Sequence, residues 1–263
     1  MRRRGGIKKG IYILPNLCTT ASLFCGFFAV IKVLHGNFVT AAWAILLAGL
    51  FDLFDGQLAR LTKAGSQFGI EYDSLVDLAS FGLAPSLLLY MWALRDFNRL
   101  GWIVAFLFFA CGALRLARFN VQAEAEESHY FQGLPIPMSA YMAATTVIFY
   151  DRLFDGLPEK NLPILGLTVG LALLMVSTVR YRNARELDIR RRLSFFVLVG
   201  GAGAIAFIAW KPSIMMWVVS LGYVAGGPIE EVVYLLRHGR RRRREPARET
   251  RQPVSLVISN QGK

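Results

Sequence analysis

Charged residues are scarce in this chain. Asp, Glu, Lys and Arg make up 18% of its 263 residues, against 54% hydrophobic, and the mean hydropathy is +0.42. A water-soluble domain carries about a quarter charged residues, so this balance excludes one and makes the lipid bilayer the expected solvent. Cysteine is also rare. Cys18, Cys25 and Cys111 lie inside apolar segments with neither a paired spacing nor a His partner, which excludes a disulfide framework and a zinc site and leaves buried, inert thiols. Acidic residues are outnumbered, 18 to 30 basic, for a net charge of +12. The basic residues sit in short clusters between apolar runs and not along one polar face, so no nucleic-acid partner is expected. The basic start, Met1 to Lys9, is followed by a long apolar run without a small-residue cleavage site, so that run is expected to stay as the first span. No internal repeat is evident.

What the chain does have is long hydrophobic runs. A spanning helix needs roughly 20 mostly apolar residues. Eight stretches approach that: 12 to 34, 38 to 60, 70 to 94, 100 to 118, 136 to 154, 162 to 180, 193 to 210 and 212 to 236. Turns such as His35-Gly36-Asn37, Asp155-Gly156-Leu157-Pro158 and Lys211-Pro212 separate them, and no soluble domain fits between. The expected fold is an all-α polytopic membrane bundle over residues 1–236, followed by a basic, disordered tail over 237–263. With the N-terminus in the cytoplasm, 24 of the 30 Lys and Arg fall on that side. Lys32, Arg95, Arg99, Arg152, Lys160 and Lys211 fall on the other. This asymmetry predicts eight spans with both termini inside. The arginine run 240–244 and the loop 180–192 read as topology anchors with some attraction to anionic lipid.

The chemistry concentrates at the end of the second span. Asp52 and Asp55 stand in an otherwise apolar helix, where carboxylates are costly and usually functional. At helical spacing Asp52, Asp55, Gly56 and Ala59 share one face, with Arg60 beside it. Asp73 and Asp77 lie one turn apart at the start of the third span. The eight-residue connection 61–68 makes the two helices antiparallel neighbours, so the four acids are expected to converge at the cytoplasmic end of the membrane. Four carboxylates in one low-dielectric pocket repel unless neutralised. Oxygen-only ligation favours Mg²⁺ or Mn²⁺, and two such ions suit displacement at phosphorus. Gly56, Ala59 and Gly69 lack bulk and leave room for a nucleotide to approach the backbone. For any one of these residues, snorkelling or helix packing is an equal alternative. For four acids on adjacent helices it is a minor one.

The pattern resembles the signature of the CDP-alcohol phosphotransferase family, D-x2-D-G-x2-A-R-x8-G-x3-D-x3-D. Asp52, Asp55, Gly56, Ala59, Arg60, Gly69, Asp73 and Asp77 fill all eight fixed positions. The resemblance implies a six-helix core, commonly dimeric, with a cavity open to the cytoplasm and two further C-terminal spans in this chain. It implies metal binding by Asp52, Asp55 and Asp73, and by Asp77 with an added role as general base. Gly56, Arg60 and Ser66 match positions that contact the CDP part of a donor lipid.

Flanking stretches narrow the acceptor. Asp77 to Pro85, Ala113 to Asn120, Phe131 to Pro137, Pro15-Asn16 and Thr19-Thr20 are similar to the serine-using branch, the phosphatidylserine synthases. Leu78 stands where glycerophosphate-using relatives usually carry a lysine. The implied substrates are CDP-diacylglycerol and L-serine, in the cytoplasmic membrane. Serine brings a carboxylate that Arg115 or Arg118 can receive, and positive-inside anchoring is the equal alternative for either. Pro15-Asn16 either breaks the first span, letting Asn16, Thr19 or Thr20 contact the cytidine, or occupies the first helical turn. Ser80, Gly82 and Pro85 read as a kink in the third span. The loop 120–137, with His129, either covers the acceptor site or is a plain connector. Other acceptors (inositol, glycerol phosphate), a membrane prenyltransferase and a cation transporter remain as alternatives. The prenyltransferases do not need the Gly56, Ala59 and Arg60 pattern.

Overall fold

The first two helices form a hairpin whose buried positions are nearly all small. The computed structural model describes residues 6–62, 67–125, 131–154, 156–181 and 211–242. Helix α1 (Gly6–Leu34) buries Thr19, Ser22, Cys25, Gly26, Ala29 and Val33, and α2 (Phe38–Thr62) buries Ala41, Ala44, Ile45, Ala48 and Asp55. Both stripes advance by three or four residues, the period that keeps side chains on one helix face. The large side chains point out instead, among them Phe24 and Phe27 on α1 and Trp43, Leu47 and Phe54 on α2. Small inside and large outside is the arrangement that lets helix backbones approach closely in a bilayer while bulky groups meet lipid. The turn between them closes at Gly36, whose φ of +74° suits glycine, with the Asn37 amide donating to the Lys32 carbonyl at 2.9 Å.

A single helical rod runs from Gln67 to Phe97, but its winding changes along the way. Helix α3 (Gln67–Asp77) opens into a π-helical turn over Leu78–Leu83, tightens into α4 (Ala84–Leu89), opens again over Tyr90–Leu94 and ends in a 3₁₀ turn. Proline has no N–H to give the preceding turn, and Pro85 lies just past the first widened segment. The expected irregularity at Ser80, Gly82 and Pro85 is therefore a change of winding within a continuous rod. By contrast, Pro15 lies inside α1 without ending it.

The remaining helices are α5 (Arg99–Ala125), α6 (Ile136–Leu153), α7 (Leu162–Val176) and α8 (Pro212–Arg242). Helix α6 packs on α2 and α8, and α5 packs on α7. Phe81, Phe108, Leu88, Leu134 and Met175 are fully buried where these helices meet. On α8, Trp217 stacks on Phe149 of α6 with centroids 4.5 Å apart and donates through Nε1 to the Thr146 hydroxyl at 3.2 Å.

Five helical stretches are long and apolar enough to cross a membrane: Pro15–Leu34, Phe38–Leu58, Gln67–Phe97, Arg99–Val121 and Pro212–Val233. The polytopic helical reading therefore holds, but α6, the fifth expected span, is not among these five stretches, and three further places differ. The sixth expected span is shorter, because Ser177 ends α7 and the chain turns to pair Arg180–Tyr181 with Phe131–Gln132 in a two-residue antiparallel bridge. Helix α5 continues to Ala125, into the stretch read as a loop. Helix α8 runs past residue 236 to Arg242. The expected span 193–210, His129 and the tail from 243 onward lie outside the described residues.

The bridge explains the Phe131 to Pro137 stretch. Gly133 has a φ of +82° and lies against the Met175 and Ser177 carbonyls, where a Cβ would collide. Leu134 is fully buried, and Pro135 caps α6. These residues clamp the start of α6 onto the end of α7.

Candidate functional site

Helices α2 and α3 bring three acids together. One carboxylate oxygen each from Asp52, Asp55 and Asp73 lies within 4.8 Å of the others. Asp55 is buried, yet its Oδ2 has no hydrogen-bond partner among the described residues, while the Thr19 side chain and the Gly56 amide lie within hydrogen-bonding reach of the carboxylate. A buried carboxylate oxygen without a partner is costly. Oxygen donors at this separation, one of them unsatisfied, fit a hard divalent cation.

Asp77 is the last residue of α3, where the rod widens. It interacts electrostatically with Asp52, Asp73 and Asp55, and with Arg115 on α5. It stands outside the tight group of three. Polar ties hold this part of α3 in place. Thr20 on α1 and Tyr72 share a hydrogen bond at 3.0 Å, and Asn120 on α5 donates to the Ser74 hydroxyl at 3.0 Å. Below Asp77 the Ser80 hydroxyl donates to the Ser22 carbonyl on α1 at 3.2 Å, next to Gly26, where a Cβ would overlap Ser80.

The two arginines on α5 differ sharply. Arg115 is 8% exposed, lies over the Phe119 ring at 5.5 Å, interacts electrostatically with Asp77 and Tyr223, and has no partner for Nε among the described residues. Arg118 donates through Nη1 to the Val176 carbonyl at the end of α7, at 3.0 Å.

Of the candidate nucleotide contacts, Thr19 is buried beside Asp55, and Asn16, Gly56 and Gly69 are half-buried near the acids' end of the bundle. Ala59 and Arg60 belong to α2, and Ser66 lies outside the described residues. Sequence reasoning missed Tyr141 and Tyr223. Tyr141, on α6, interacts electrostatically with Asp52 and Asp77, and Tyr223, on α8, with Arg115. Both stand in apolar runs far along the chain from the motif. The available signal was only that a phenol inside a membrane helix needs a polar neighbour.

Comparison with known proteins identifies the family. The CDP-alcohol phosphatidyltransferase family profile matches residues 12–180. The CDP-diacylglycerol–serine O-phosphatidyltransferase of Helicobacter pylori is 39% identical over 191 residues, covering 72% of this chain and 79% of that protein. The Bacillus subtilis protein of the same name is 34% identical over 173 residues, 66% of this chain and 92% of its own. An archaetidylserine synthase from Methanothermobacter thermautotrophicus is 34% identical over 172 residues, 64% and 69% of the two chains. The matched region begins just before Pro15 and ends at the bridge strand, and so contains every acid of the cluster; with its multi-pass helical bundle, the chain belongs to the CDP-alcohol phosphatidyltransferase family.

Proposed function

We propose that the chain transfers the phosphatidyl group of CDP-diacylglycerol to the hydroxyl of L-serine, giving phosphatidylserine and CMP. The observation that carries this reading is the meeting of Asp52, Asp55 and Asp73 beside a half-buried Asp77 that interacts electrostatically with the buried Arg115. The names of the relatives support serine as the acceptor. Family membership sets aside the prenyltransferase and cation-transporter readings.

Asp52, Asp55 and Asp73, with Asp77 at the edge, are the residues that would hold Mg²⁺ or Mn²⁺, as two ions. Such a group, when bound, supplies positive charge against the donor's pyrophosphate and the departing CMP. Asn16, Thr19, Gly56 and Gly69 line the approach for the cytidine and its phosphates, and Ala59, Arg60 and Ser66 are the motif and neighbouring positions assigned to the same ligand. Arg115 receives the serine carboxylate, because a buried guanidinium with an unpaired Nε gains most from an anionic partner. That contact sets the serine hydroxyl toward Asp77. The hydroxyl oxygen attacks the phosphorus bearing the diacylglycerol group, Asp77 accepts the hydroxyl proton, and the bond to CMP breaks. Arg118 has a different task, holding α7 against α5. The acids and both termini are placed on the cytoplasmic side of the inner membrane, and the enzyme acts as a homodimer.

Purified enzyme in detergent micelles, supplied with CDP-diacylglycerol and in turn serine, inositol or glycerol phosphate, tests the assignment. CMP should appear with serine alone. Release without dependence on serine would sink it.

A further inference from the structure

Tyr141 lies where α2, the rod and α6 meet, and its surroundings fix it from two sides. Its ring packs edge-on against Phe81, four residues past Asp77, with centroids 6.3 Å apart and planes at 83°. Its hydroxyl rests on Gly49, three residues before Asp52, where a Cβ would run into the phenol oxygen and ring carbons. The lack of a side chain at Gly49 thus opens the notch that admits the hydroxyl to the face of α2 carrying Asp52. From there the phenol is within electrostatic reach of both Asp52 and Asp77. The two acids belong to different helices, and α6 carries neither.

We propose that Tyr141 is a positioning residue that orients the Asp52 and Asp77 carboxylates from the membrane-interior side of the cluster. The proposal rests on the reading of these acids given above. An ionised carboxylate only accepts hydrogen bonds, whereas a phenol can donate one. A donor that engages one oxygen of a carboxylate fixes the direction of the other, and partners of this kind typically change metal affinity or activity by about 10- to 100-fold when removed. On the buried side of the cluster, where Tyr141 packs against Phe81 and Gly49, a protein donor of this kind orients the acids better than exchanging water does.

The test uses full-length detergent-purified enzyme carrying Tyr141→Phe, which keeps the ring and its packing on Phe81. Direct Mn²⁺ titration, read from the spin-resonance signal of the free ion, should show affinity reduced about tenfold, with kcat reduced similarly. The KM for serine and the thermal inactivation temperature should be unchanged. Wild-type Mn²⁺ affinity and kcat in Tyr141→Phe would overturn the proposal, as would a loss of activity matched by a loss of thermal stability. Asp55→Asn serves as the reference. If it binds Mn²⁺ as the wild type does, the acids do not hold metal and both readings fall. If it loses Mn²⁺ while Tyr141→Phe does not, only the role of Tyr141 is lost.

Discussion

Arg118 donates a hydrogen bond to the Val176 carbonyl at 3.0 Å, while Arg115, one turn earlier on the same helix, interacts electrostatically with Asp77. Two arginines of similar sequence context are thereby assigned to different work. Arg115→Ala should raise the KM for serine by about 10- to 100-fold, the range expected for a charged hydrogen bond, with little change in the KM for CDP-diacylglycerol. Arg118→Ala should leave the serine KM alone and lower thermal stability by about 1 kcal/mol. Steady-state kinetics with each substrate varied, alongside thermal inactivation, separate the two; an exchange of these phenotypes would reverse the assignment.

Asp77→Asn keeps the size of the side chain and removes its ability to take a proton. The kcat should fall by about 10²- to 10⁴-fold, with the protein still folded by thermal denaturation. Turnover close to wild type would remove the general-base role.

Asp55→Asn should raise the Mn²⁺ concentration for half-maximal activity more than any other change in the cluster, because Asp55 is buried and already has an unpartnered oxygen. A metal titration at saturating donor and serine measures this. An unchanged midpoint is the contrary result.

Helix α8 lies beyond the region matched by the family, yet its Tyr223 interacts electrostatically with Arg115. Tyr223→Phe should raise the serine KM by a smaller factor than Arg115→Ala, because it removes a polar neighbour of Arg115 and not the cation itself. Equal serine KM values in the variant and the wild type would confine the site to the family core.

Gly26→Ala should destabilise the protein by about 1–3 kcal/mol, the cost of overpacking a tight contact, because the new methyl group meets the Ser80 backbone. Thermal inactivation in detergent reads it directly.

The acids were legible in the sequence for a physical reason. Asp52 and Asp55 stand out in an apolar run because burying a charge is expensive, and the short connection to Asp73 leaves few ways to place the next helix. The same reasoning located most of the helices, since spanning length is set by the bilayer. Other features left no comparable trace. Gly49 reads as a packing glycine until Tyr141 is seen above it, and two contacts between helices distant in sequence cannot be inferred from either run alone. The clamp at Gly133 depends on a positive φ and on carbonyls from α7. The π-helical turns depend on how Pro85 is accommodated, which spacing does not specify. Arg115 and Arg118 differ only by which neighbour each helix face meets.

Asp55 sits seven residues from the end of α2 and Asp73 six from the start of α3, which at 1.5 Å per residue is roughly 10 Å along each helix. In the proposed arrangement, with these helix ends at the cytoplasmic surface, that depth falls where headgroups give way to acyl chains. A donor lipid can present its pyrophosphate there with its tails left in place, and the product can depart with the same tails in the same leaflet. Only serine and CMP, both small and water-soluble, need to cross the interface. Under the proposed chemistry the enzyme edits the headgroup composition of one leaflet by lateral exchange, and no lipid has to be lifted out of the membrane or turned over within it.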